Sequence, residues 1–141
     1  SMNDTPKALE LLKKAYELAP EFREARIMYA GILIDQKQDA LADEIVAPLL
    51  NDELAADQRL ISAYLARKDF ERIAKLWDAR VRVLPQDSQA RFALAASYHA
   101  AGQKQKSIEI LEQAAKDIPE ITAQAQELIR QIKAGTIQAQ Q

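Results

Sequence analysis

The stretch from Ser88 to Ile121, SQARFALAASYHAAGQKQKSIEILEQAAKDIPEI, decides the fold of this 141-residue chain. Its first half places Leu94, Ala95 and Tyr98 at the three- and four-residue spacing of an amphipathic helix. Gly102 interrupts that helix with a residue suited to a left-handed terminus. A second helical period, carrying Leu111 and Ala114, runs to Pro119, which cannot continue the hydrogen-bond ladder. Asp87 stands immediately before the unit, as a residue that caps a helix through its side chain would.

The preceding residues, LAADQRLISAYLARKDFERIAKLWDARVRVLPQD (54–87), repeat the design. Pro85 and Pro119 are 34 residues apart, and the same shift maps Leu60 onto Leu94, Tyr64 onto Tyr98 and Trp77 onto Leu111. It also maps the Lys68-Asp69 turn onto Gly102-Gln103, with Asp69 placed to cap the next helix. Extended outward, the period predicts eight helices, at about 6–19, 22–36, 39–50, 53–67, 70–84, 87–101, 104–117 and 120–134. Thr5-Pro6 supplies an N-cap and a first-turn proline, and Pro20 stops the first helix. Links of two to four residues make neighbouring helices antiparallel.

This pattern resembles the tetratricopeptide repeat family. The resemblance rests on Leu94, Ala95, Tyr98, Gly102, Leu111, Ala114 and Pro119, with Ser107 where alanine is usual. The unit 54–87 keeps Leu60, Tyr64, Phe70, Trp77 and Pro85 but sets Ile61, Ile73 and Arg80 at small-residue positions, which predicts a wider helix pair. The unit 23–53 keeps Tyr29, Ala30, Leu33 and Ala42. It has Asp39 for the common aromatic, lacks the closing proline, and spans 31 residues, which predicts a shortened loop. Ala8, Leu12, Ala15 and Pro20 fit the second helix of a truncated repeat over 6–20. The resemblance implies one all-α domain over 1–141: a right-handed superhelix of antiparallel pairs with a continuous core, closed by a capping helix over 122–134 and a polar tail over 135–141. In the cap, Ile121, Leu128, Ile129 and Ile132 oppose Gln124, Gln126, Glu127, Arg130 and Lys133.

Composition narrows the function. The sequence is 48% hydrophobic and 28% charged, with net charge −2, three glycines, five prolines and no cysteine. No bulk charge draws it to nucleic acid, and no thiolate site is available. The basic run Arg67, Lys68, Arg72, Lys75, Arg80 and Arg82 is interleaved with Asp69, Glu71 and Asp78, as on a solvated face. No stretch is long and apolar enough to cross a membrane, so a soluble segment on either side of one is expected. His99 is the single histidine, and Ser97, two residues away, lies on another helix face. No catalytic, metal or cofactor site is expected. Trp77 and Tyr98 read as packing residues.

The resemblance implies a protein-binding scaffold whose concave face is lined by the first helix of each pair. The inward positions are Glu24, Ile27, Gly31 and Ile34; then Ala55, Gln58, Ser62 and Leu65; then Gln89, Phe92, Ala96 and His99; the cap adds Gln126 and Arg130. That is a shallow, largely neutral trough for a peptide or helix. Ile27, Gly31, Gln58 and Ser62 replace the lysine and asparagine of the family's carboxylate clamps, and the basic groove and longer repeat of RNA-reading relatives are absent.

The alternative is an assembly module. Ser1-Met2 reads as a cloning remnant and the chain as a piece of a longer, bacterial-type protein. The ending ELIRQIKAG (127–135) resembles the tails after repeat arrays in bacterial polysaccharide polymerase or ligase-type membrane proteins. Leu9, Leu12 and Tyr16 form one stripe on the first helix and are expected to support a weak homodimer.

Overall fold

A computed structural model describes residues 5–137. The Ser1-Met2 pair, the Thr5 side chain expected to cap the first helix, and tail positions 138–141 lie outside the described residues. Among the described residues there are eight α-helices and no strand: α1 Thr5–Leu18, α2 Arg23–Asp35, α3 Asp39–Val46, α4 Gln58–Ala66, α5 Phe70–Val83, α6 Ser88–Ala100, α7 Lys104–Asp117 and α8 Thr122–Ala134. Helices α2 and α3, α4 and α5, and α6 and α7 pair. The pairs stack through contacts of α1 with α2, α2 with α4, α5 with α6 and α7 with α8.

Two helix boundaries differ from the sequence expectation. The segment 39–50 is α only to Val46 and continues as a 3-10 turn over Ala47–Asn51, because Pro48 cannot donate a ladder hydrogen bond. The α-helical part of that second helix is 8 residues against 14 in α5 and α7, and the five-residue 3-10 turn completes it. Helix α4 starts at Gln58 instead of near 53, since the Asp57 side chain accepts from the Arg59 N–H at 2.8 Å and sets the start. Asp69 and Asp87 accept from the Arg72 and Ala90 N–H groups and cap α5 and α6.

The helix ends carry the repeat more faithfully than the side chains do. Lys37, Lys68, Gly102 and Gly135 all have left-handed φ, at 60°, 54°, 79° and 75°. After each, the same double hydrogen bond closes the helix; for example, Gly102 N–H donates to the His99 carbonyl and Gln103 N–H to that of Tyr98. This Schellman geometry ends α2, α4, α6 and α8. Two of the four positions are lysines, which a search for glycine misses.

Arginines, one of them buried, tie the turns together. The fourth residue of two units, Arg26 and Arg91, reaches back to the Pro20 and Pro85 carbonyls at 2.7 and 3.0 Å. Each also reaches the far end of its own pair: Arg26 donates to the Ile45 carbonyl at 2.8 Å, and Arg91 to the Asp117 carboxylate at 2.8 Å. In the middle unit Arg80 fills a position normally small and spans from the Glu53 carbonyl to Asp87. Asp39 departs from the usual aromatic because it receives Arg67, which also donates to the Ile34 carbonyl. Ser107, fully buried, is satisfied by the Ala95 carbonyl at 2.7 Å.

The core is built from clusters joined through α5 and α6. Large side chains form an N-terminal cluster around Ile27, Ile34, Leu60 and Leu76, and separate C-terminal clusters around Leu111 and Ile132 and around Ala114 and Ile118. Between them α5 and α6 meet, with Ala74, Ala79 and Ala90 buried, small residues that allow close backbone approach. Trp77 is half-buried at the margin of the first cluster instead of central to it.

Candidate functional site: two depressions beside α4

The inward face is divided by α4 into two depressions. The first, a trough between α2 and α4, has a volume of about 540 Å³ and presents Met28, Gly31, Gln58, Ser62 and Arg59 over a floor that includes Ile27. Gln58 donates to the Ser62 hydroxyl at 3.3 Å. The second, a cleft of about 470 Å³, is bounded by α4, α5, α6, α7 and α8. Its walls include Ile61, Leu65, Phe70, Phe92, Ala96 and Leu128. The cleft opens where Ile61 and Ile73 replace small residues, and where α4 turns to α2 and α5 while α6 packs on α5.

Polar groups in the cleft are few and mostly occupied. Ser97 donates to the Ala93 carbonyl and Ser107 to that of Ala95. His99 stands half-buried in the wall. The surface therefore suits uncharged apolar groups, and a volume of about 470 Å³ lies within the usual range of roughly 300–1,000 Å³ for binding sites.

The structure brings Leu65, Phe92 and His99 together at this cleft and places Ile27, Gln58 and Ser62 at the trough. Ile27 and Ile34 are corrected: both are 0% exposed in the N-terminal cluster, so neither offers an apolar spot to a ligand. The reason is that α1, α2 and α4 pack directly, covering positions that a wider superhelix would open. Ala55, also 0% exposed, lies in the turn before α4. Gln89 is exposed but borders neither depression. Glu24 and Arg130 are committed to local ion pairs. Arg59 donates to Glu24 at 2.6 and 3.0 Å, and that bond holds the carboxyl below its ordinary range. Arg130 binds Glu127 at 2.6 and 2.9 Å, bringing the Glu127 carboxyl down to about 2.

The arginines of the basic run are likewise paired. Arg67 engages Asp39, Arg72 engages Asp43 and Asp69, and Arg82 engages Asp78. Among the described residues no group of acidic or histidine side chains could hold a metal ion. Sequence reasoning missed Ile61, Phe70 and Ile137 in the cleft wall. Ile61 was legible only as an oversized residue at a small position.

The dimer stripe is also corrected. Leu9, Leu12 and Tyr16 point inward and pack on the N-terminal cluster, with the Tyr16 and Tyr29 rings 5.5 Å apart and Arg26 over Tyr16 at 5.1 Å. The outward apolar residues at this end are Leu11, Leu18 and Phe22, at 67%, 87% and 58% exposure. Helix α1 uses its first stripe on α2, and the widening residues face solvent.

Stacked antiparallel pairs with matched left-handed caps and an apolar concave cleft define a helical-repeat scaffold. Residues 1–59 match the tetratricopeptide repeat family model, and the 34-residue register continues through 54–121. No curated protein and no solved structure matches the chain. Repeats of this family mediate protein–protein interaction and are typically non-catalytic. Among the described residues no helix is long and apolar enough to cross a membrane.

Proposed function

We propose that this chain is a non-catalytic scaffold that takes an uncharged, apolar segment of a partner protein into the cleft between α4, α6 and α8. The observation that carries the proposal is the cleft itself: about 470 Å³ lined by Leu65, Phe92, Ala96 and Leu128, with its serine hydroxyls already bonded to backbone. Such a surface rewards aliphatic or aromatic anchors. The trough beside Gln58 and Ser62 extends the same face for polar contacts.

A random peptide library selected on the chain tests this. Enriched peptides should carry two or more apolar anchors, and Ala96→Glu should abolish their binding while leaving the helical spectrum unchanged. Ala96 is the suitable position because its side chain is exposed in the cleft wall and supports no core contact. Selected peptides that bind Ala96→Glu equally well would refute the cleft.

A second reading, self-assembly through the N-terminal end, is favoured by one observation. Leu11 and Leu18, seven residues apart on α1, present an exposed apolar stripe beside Phe22.

A further inference from the structure

Two residues of α2 break the local rules for a helix, and both line the trough between α2 and α4. Gly31 lies inside the helix, where glycine is less stable than alanine. Its φ is not left-handed, and a Cβ added there would meet no atom within 4 Å, so neither a turn nor a close helix contact requires it. Asp35 sits in the last turn, where the negative end of the helix dipole disfavours an anion. Its side chain is exposed, and among the described residues it makes no hydrogen bond or ion pair. Cations at this end of α2 act elsewhere: Arg67 is held by the Ile34 carbonyl and Asp39, and the charge of Lys37 also bears on Asp39. At the other end of the trough Arg59 is matched by both Glu24 and Asp57. The charge left over along this groove of about 540 Å³ is therefore negative.

We infer that the trough takes a lysine or arginine side chain of the partner, its aliphatic stem over Gly31 and its cationic head at Asp35. The inference rests on the scaffold reading and adds a charge requirement to it. One helical turn, about 6 Å, separates the two positions, and the stem of a long basic side chain spans that length. Met28, 48% exposed on the same face, offers a flexible thioether for the stem to pack on. A purely apolar side chain would cover the Asp35 carboxylate without pairing it, which burial penalises. Helix α4, roughly 10 Å across, separates trough from cleft, so an extended partner places the basic residue about three residues beyond its apolar anchor. The two rule-breaking choices in α2 thus serve the partner and not the fold.

Peptides selected from a random library on the wild type are the probe. They should carry lysine or arginine about three residues from an apolar anchor, and their affinity should fall with added salt. Asp35→Asn should weaken them about threefold to tenfold, between the effect of an exposed ion pair and that of a charge-assisted hydrogen bond. Replacing the basic residue of the peptide by norleucine should weaken binding to the wild type by the same factor and binding to Asp35→Asn not at all. Gly31→Leu fills the trough and should also weaken the basic peptides, whereas Gly31→Ala should raise the urea midpoint. Peptides that Ala96→Glu abolishes but that bind Asp35→Asn as tightly as the wild type would overturn the trough inference and leave the cleft standing. A lower urea midpoint in Gly31→Ala would overturn it as well, by assigning the glycine to the fold. Peptides weakened by Asp35→Asn and indifferent to Ala96→Glu would support the trough and refute the cleft. A library that yields no binder would overturn both.

Discussion

Arg91 is the test of whether the repeat is held by its arginine clamps. The side chain is 6% exposed, donates from Nε to the Pro85 carbonyl at 3.0 Å and from Nη2 to Asp117 at 2.8 Å. Replacement by alanine removes two hydrogen bonds from a charged donor, each contributing roughly 1.5–3 kcal/mol. Both acceptors can recover water, since Pro85 is exposed and the Asp117 side chain keeps 32% of its surface, so the lower end of that range applies. Loss of methylene packing adds about 1 kcal/mol to this, giving about 4 kcal/mol for Arg91→Ala. Arg91→Met, which keeps the stem, should cost about 1 kcal/mol less. Arg26→Ala, the same position one clamp earlier, should cost about 2–3 kcal/mol, because its partners are two carbonyls and no carboxylate. Urea unfolding followed by far-ultraviolet circular dichroism gives all three, and Trp77 fluorescence reports whether the N-terminal cluster unfolds in the same transition. An Arg91→Ala variant less than about 1 kcal/mol below wild type would refute the clamp, because the lost bonds would then be worth no more than exposed ones.

Two further outcomes are expected. Lys37→Gly should raise stability by about 0.5–1 kcal/mol, since a left-handed conformation penalises a side chain more than glycine costs in chain entropy; an unchanged or lower urea midpoint would contradict this. For self-assembly, the wild-type sedimentation coefficient should rise with concentration while that of Leu11→Glu, Leu18→Glu stays at the monomer value. Concentration-independent sedimentation of the wild type would end that reading.

The register of this chain was legible residue by residue. Pro85, Pro119, Gly102 and the capping Asp69 and Asp87 act within a few positions along the backbone, so their meaning does not depend on distant partners. The helical periods of Leu94, Leu111 and Leu60 are local in the same sense. Lys37 and Lys68 hide the identical cap, because lysine has no intrinsic preference for the left-handed state that their surroundings impose.

The binding face was a different matter. Helical period places Ile27, Ile34, Leu65 and Phe92 on faces, but it cannot say how closely successive helices approach. Direct packing of α2 with α4 buries Ile27 and Ile34, whereas the separation of α4 from α6 leaves Leu65 52% exposed at the edge of a cleft. The same holds at α1, where Leu9 and Leu11 are equally apolar in sequence and only the position of α2 makes one core and the other surface. Sequence by itself determined the helices, most of their ends and their repeat, since those follow from hydrogen bonds between near neighbours. Tertiary structure alone decided which apolar side chains remain open to a partner, since that depends on spacings between helices set by many side chains at once.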